Sequence, residues 1–126
     1  MEEAMGTFAE HNFGNDGAMD YLAMLAAKLV ATITEVMADP ERMELEEDGE
    51  SMLMPSVEIL ALLCERYDAT PPRPATVRQW GQNYLKMFDG CIDDLNPEPD
   101  YKLARRKVID HTFRWLEGLA GSYWDR

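Results

Sequence analysis

Residues 75 to 95 read Ala-Thr-Val-Arg-Gln-Trp-Gly-Gln-Asn-Tyr-Leu-Lys-Met-Phe-Asp-Gly-Cys-Ile-Asp-Asp-Leu. Val77, Trp80, Tyr84, Phe88, Ile92 and Leu95 recur every three or four positions, which places them on one face of an α-helix, with polar residues over much of the remainder. Gly81 lies beside that stripe, where a missing side chain predicts close approach by a second helix. No stretch of the chain alternates with the period of two that a half-buried strand requires. The sequence therefore predicts an all-α fold.

Working outward, Pro71, Pro72 and Pro74 make Asp68 to Pro74 a stiff connector, because each lacks an N–H and restricts the residue before it. On the other side Asn96-Pro97-Glu98-Pro99 breaks the chain. A fourth helix then runs from about Asp100 to Ala120 through Tyr101, Ala104, Val108, Trp115, Leu116 and Leu119. Gly121 and Ser122 are expected to release a short tail, Tyr123-Trp124.

Upstream, a second helix is predicted from about Ser51 to Tyr67, with Met52, Ile59, Leu60, Leu63 and Tyr67 on one face. Glu58, Ala61 and Glu65 supply a thin polar stripe, and Pro55 is tolerable only in the first turn. Residues 39 to 50 are strongly acidic, with Met43 and Leu45 as the only anchors, and read as an exposed loop. The first helix starts at Asn15-Asp16, a capping residue followed by an acid at the positive end of the helix dipole. It runs to about Ala38 with Ala18, Leu22, Leu25, Leu29, Ile33 and Val36 in one stripe. Its other side carries Ala23, Met24, Ala27 and Ala31, so the helix is expected at the centre of the fold or partly covered by a second subunit. With 126 residues and no internal repeat, one domain spanning 1–126 is expected: a compact bundle of four main helices with an N-terminal loop packed on it.

The formal charge is −12. Residues 1 to 70 hold 16 Asp/Glu against 3 Lys/Arg, while the remainder is close to balanced. Such a chain repels phosphate backbones and anionic lipid, so nucleic acid and membrane surfaces are not expected partners, and a basic protein is. Cys64 and Cys91 lack metal-ligand spacing and suggest neither a disulfide framework nor a zinc site, as for reduced thiols in a cytoplasmic protein. The start Met1-Glu2-Glu3 has no basic region of a signal peptide, and Asp20, Lys28 and Glu35 interrupt the apolar run from Ala18 to Ala38.

Few residues invite chemistry. Arg105 falls in the middle of the fourth helix's apolar face beside Thr112, where an arginine requires a carboxylate or a route to solvent along its aliphatic stem. Asp16 and Asp20, one turn apart, are the candidate partners. His11 lies in the opening loop. His111 could be imagined as a metal ligand with Asp89 and Asp93, but those aspartates lie on the polar side of the third helix, and no Glu-x-x-His pair occurs. Cys64 reads as an inert core thiol. No nucleophile elbow, phosphate loop or dinucleotide fingerprint is present, and no cofactor is implied. Lys102, Arg105, Arg106 and Lys107 point in several directions around their helix and read as solvated or internally paired.

The opening segment Met5-Gly6-Thr7-Phe8-Ala9-Glu10-His11-Asn12-Phe13-Gly14-Asn15-Asp16-Gly17-Ala18-Met19-Asp20 resembles the signature of a bacterial family, domain of unknown function 4259. Members look like Met-Gly-x-Trp-Gly-x-Gly-x-Phe-x-Asn-Asp-x-Ala-x-Asp. Met5, Gly6, Phe13, Asn15, Asp16, Ala18 and Asp20 match without a gap, and Phe8, Ala9 and His11 replace the usual Trp, Gly and Gly. Residues 55–60 and 101–109 are also similar. The resemblance implies Met5 as an alternative start, with Met1 to Ala4 as an extension; the aromatic character of Phe8 and Phe13 suggests that they anchor the opening loop over the helices. It implies no activity.

These features point to a non-enzymatic binding module of the immunity or adaptor type, with an acidic face at Glu41 to Glu50 that includes Glu44, Glu46, Glu47 and Asp48. The alternative is a ligand-binding protein or enzyme with a polar pocket between the opening loop and the last helix, formed by His11, Asn15, Asp16, Asp20 and Arg105. A homodimer through the alanine and methionine side of the first helix is a third expectation.

Overall fold

The computed structural model describes residues 10–126, and among them the chain is helical with no strand. The helices are α1 (Asp16–Met37), α2 (Pro40–Met43), α3 (Met54–Tyr67), α4 (Pro74–Cys91) and α5 (Pro99–Trp124). A π-helical turn over Gly49–Leu53 leads into α3, and a 3-10 turn over Ile92–Leu95 prolongs α4. The expected packing of Phe8 and the extension Met1 to Ala4 lie outside the described residues.

Four long helices surround one core. α3 lies between α1 and α5, α4 packs along α5, and α1 meets α4 over a short stretch. Arg78 pairs with Glu117 near one end of the α4–α5 pair and Arg106 with Asp89 near the other, so these two helices run antiparallel. Their close approach is made at Gly81, where an added Cβ would lie 3.1 Å from the Cβ of Phe113. Leu22, Ile33 and Val36 of α1 meet Val57 and Leu60 of α3, Tyr84 and Phe88 of α4, and Ile109 and Leu116 of α5, all essentially inaccessible. Burying each such side chain contributes about 1.5–3 kcal/mol, and this supplies the main drive for folding.

The cap and the breaks fall where they were expected. Asn15 accepts the Ala18 N–H at 2.8 Å, Pro55 occupies the first turn of α3, and Asn96, in the left-handed region, ends the turn after α4. Three expectations about faces and ends are corrected. α3 buries Met54, Val57, Leu60, Ala61 and Cys64 between α1 and α5, which leaves Met52, Ile59 and Tyr67 on the outside. α5 likewise buries Ile109, Thr112, Phe113, Leu116 and Ala120, while Tyr101 and Val108 face outward. The helix also continues through Gly121 and Ser122 to Trp124, whose indole Nε1 donates to the carbonyls of Pro71 and Pro72 at 3.0 and 3.1 Å. The expected tail is a clasp on the α3–α4 connector.

α1 is not central. Leu22, Ala26, Ile33 and Val36 enter the core, and Tyr21, Ala23, Met24, Ala27 and Ala31 are exposed along the outer side. By length and composition alone α1 is apolar enough to cross a bilayer, but here its inner side is part of the shared core.

Candidate functional site

The acidic segment is folded, and this corrects its reading as a loop. Asp39 caps α2 by accepting the N–H groups of Glu41 and Arg42 at 3.2 and 3.3 Å. Arg42 Nε donates to Asp48 Oδ2 at 2.8 Å and closes the segment on itself. Glu46 takes a left-handed backbone (φ 68°), and its N–H donates to Glu50 Oε2 at 2.9 Å. Gly49 is pressed against the chain so closely that an added Cβ would lie 2.0 Å from the carbonyl oxygen of Met43. The buried hydroxyl of Tyr84 donates to the Gly49 carbonyl at 3.2 Å, tying the segment to α4.

The result is a rigid shelf with charge on its outer surface. Glu41, Glu44, Glu46 and Glu47 are exposed, and among the described residues none has a cation within 4.0 Å. Asp48, expected to be part of the acidic face, is neutralised by Arg42. On the opposite half of the chain, Asp89, Asp93, Asp110 and Glu117 are paired with Arg106, Lys102, Arg114 and Arg78. The charge asymmetry of the sequence thus becomes an asymmetry of unpaired charge.

Beside the shelf is a pocket of about 290 Å³ lined by Leu45, Glu46, Glu50, Phe88, Ile92, Leu95, Pro97, Tyr101 and Arg105. Arg105 is half-buried, and among the described residues no carboxylate lies within 4.0 Å of it. Tyr84 lies close enough to sense both charges. Burial pushes its hydroxyl up to about 12, with nearby Arg105 opposing the rise and Glu50 adding to it.

Asp16 and Asp20 do not meet Arg105. Phe13 of the opening loop packs against Tyr67 at the C-terminal end of α3, with ring centroids 4.5 Å apart and planes tilted by 43°, whereas Arg105 sits near the shelf that leads into the other end of α3. At 1.5 Å per residue the length of α3 separates those sites by about 20 Å. Asp16, Asp20 and His11 are exposed, and Asn15 is occupied as the cap. The His11 carbonyl accepts the Gly14 N–H at 2.9 Å in a turn. Among the described residues, the pocket that holds Arg105 is not lined by His11, Asn15, Asp16 or Asp20.

His111 faces an open groove between α3 and α5, about 630 Å³, with Glu58, Glu65, Lys107 and Trp115. Its imagined metal partners are engaged elsewhere: Asp89 accepts two hydrogen bonds from Arg106 at 2.9 and 2.8 Å, and Asp93 accepts from Lys102 at 2.7 Å. Among the described residues no three His, Cys, Asp or Glu side chains are grouped to hold a metal. The Cys64 thiol is buried and pushed up to about 11, chiefly by burial and secondarily by Asp68.

The sequence reading placed Glu50 only at the end of the acidic face and missed its position in the Arg105 pocket. Two apolar anchors, Met43 and Leu45, followed by Gly49 within an acidic run are the signal of a packed turn, and Glu46 and Glu50 are spaced to share it. Comparison of the chain with protein-family models, with curated proteins and with solved structures finds no match in any of the three.

Proposed function

We propose that this protein is a non-enzymatic binding module of the immunity or adaptor type, acting in the bacterial cytoplasm, that receives a basic protein on the shelf formed by α2 and the turn after it. The observation that carries this reading is the set of exposed, unpaired carboxylates of Glu41, Glu44, Glu46 and Glu47 on a backbone fixed by Gly49, Tyr84 and the Arg42–Asp48 pair. A preorganised field of one sign accelerates encounter with a partner of the other sign and fades as salt screens it. The resemblance to family 4259 adds no activity.

The test is capture from the native cell by tagged protein, compared with a variant carrying Glu41→Lys, Glu44→Lys and Glu47→Lys. A basic protein retained at low salt, and lost both at about 0.5 M salt and with the variant, is the expected result. Equal retention by the variant would sink the proposal. A second contact, between two copies of the chain, is favoured by the outer side of α1, where Met24 and Tyr21 are 44% and 56% exposed beside Ala23, Ala27 and Ala31. Light scattering that reads a monomer at about 100 μM, a concentration that populates even weak dimers, removes it.

A further inference from the structure

The Arg105 pocket shares Glu46 with the acidic shelf but has its own chemistry. Along α5, Lys102, Arg106 and Arg114 each hold a carboxylate, whereas Arg105 turns into the pocket with none within 4.0 Å among the described residues. A guanidinium carries five donors in a planar fork, suited to a carboxylate held by two parallel bonds. The same pocket is bordered by Glu46 and Glu50, so its lining has more negative than positive charge. A simple anion would be repelled by that excess, and a simple cation would leave Arg105 unsatisfied. Leu45, Leu95 and Tyr101 supply the accessible apolar wall, Leu95 being 45% exposed, while Phe88 and Ile92 are buried behind it. A volume of about 290 Å³ lies near the lower end of the range for small-molecule sites.

We propose that this pocket binds a free apolar α-amino acid. The carboxylate lies on Arg105, the ammonium group on Glu46 and Glu50, and the side chain against Leu45, Leu95 and Tyr101. Glu50 is preorganised for this role, because the Glu46 N–H holds one of its carboxylate oxygens and leaves the other for a ligand.

Two-dimensional NMR titration of the full chain tests the assignment, with L-leucine and L-phenylalanine up to about 10 mM, since ligands of so few atoms bind in the submillimolar to millimolar range. Both amino acids are expected to give saturable shifts at Phe88, Tyr101 and Arg105. Leucinamide, which lacks the carboxylate, and N-acetyl-leucine, which lacks the ammonium group, should each bind at least about tenfold more weakly. Arg105→Gln should abolish the preference for leucine over leucinamide, and Glu46→Gln the preference for leucine over N-acetyl-leucine; the second variant keeps the test open if the first does not fold. No saturable shift with either amino acid, or leucinamide binding as tightly as leucine, would overturn the proposal. Glu41, Glu44 and Glu47 do not line the pocket, so the charge-reversed variant that tests protein binding should bind leucine unchanged. The two ideas can therefore fail separately.

Discussion

Gly49 carries more of the structure than any charged residue near it. An alanine there would drive its Cβ into the Met43 carbonyl, at 2.0 Å, and the obstacle is backbone that cannot rotate away. Gly49→Ala is expected to destabilise the protein by about 2–4 kcal/mol, read as a lower urea midpoint. Tyr84→Phe removes the buried donor to the Gly49 carbonyl, and a loss of about 1–2 kcal/mol is expected in the same assay. Cys64 offers a chemical readout of the same core. Its thiol, pushed up to about 11, is almost wholly protonated at neutral pH, so in a Cys91→Ser background, which removes the partly exposed second thiol, alkylation of Cys64 should be slow and should accelerate on unfolding. Rapid alkylation in native buffer would show that α3 is not packed as described.

At the scale of elements, the helices are fixed by their ends and their faces through different forces. Asn15 caps α1 through one short hydrogen bond, and Asn15→Ala is expected to cost about 1 kcal/mol. The α4–α5 pair depends on the missing side chain at Gly81: Gly81→Val would press on Phe113 and cost about 1–3 kcal/mol, measured by thermal or urea unfolding. The outside of that pair is tied by Arg106 to Asp89, and the end of α5 is tied to the end of α3 by Arg126 and Asp68. Hydrogen bonds from those arginines hold both aspartates below the usual carboxylate range. A depressed folded-state value means stability that is present above the unfolded value and lost as pH falls through the folded one. Stability should accordingly decline as pH falls below the ordinary carboxylate value of about 4, and Asp89→Asn should make that decline shallower. Both pairs are solvent-exposed, so the effect is small and weakens with salt.

For the whole molecule, the decisive property is where charge is cancelled and where it is not. The α4–α5 side pairs Asp89, Asp93, Asp110 and Glu117 with its own cations, while the α2 shelf leaves Glu41, Glu44, Glu46 and Glu47 unpaired among the described residues. Association with a basic partner should slow steeply with salt, whereas amino-acid binding in the Arg105 pocket should change little, because that contact is partly shielded from solvent. Stopped-flow association rates and NMR titrations at two ionic strengths separate these behaviours.

The all-α class, the cap at Asn15, the close approach at Gly81 and the inward face of α4 were legible in the sequence, because each depends on local spacing or on backbone chemistry. The faces of α3 and α5 were not, since both helices have apolar residues on more than one side, and only neighbouring helices decide which side is buried. The same holds for Arg105: its place on the inward side of α5 follows from periodicity, but its separation from Asp16 and Asp20 and its position beside Glu46 and Glu50 depend on how α3 spaces the two ends of the bundle. Tertiary packing also turned an acidic run into a shelf, through the contact of Gly49 with Met43 and the hydrogen bond from Tyr84, 35 residues away. The sequence by itself determined where the four long helices lie and how much charge each segment carries; the tertiary structure decided which of those charges remain free, because pairing is a property of distance between helices and not of order along the chain.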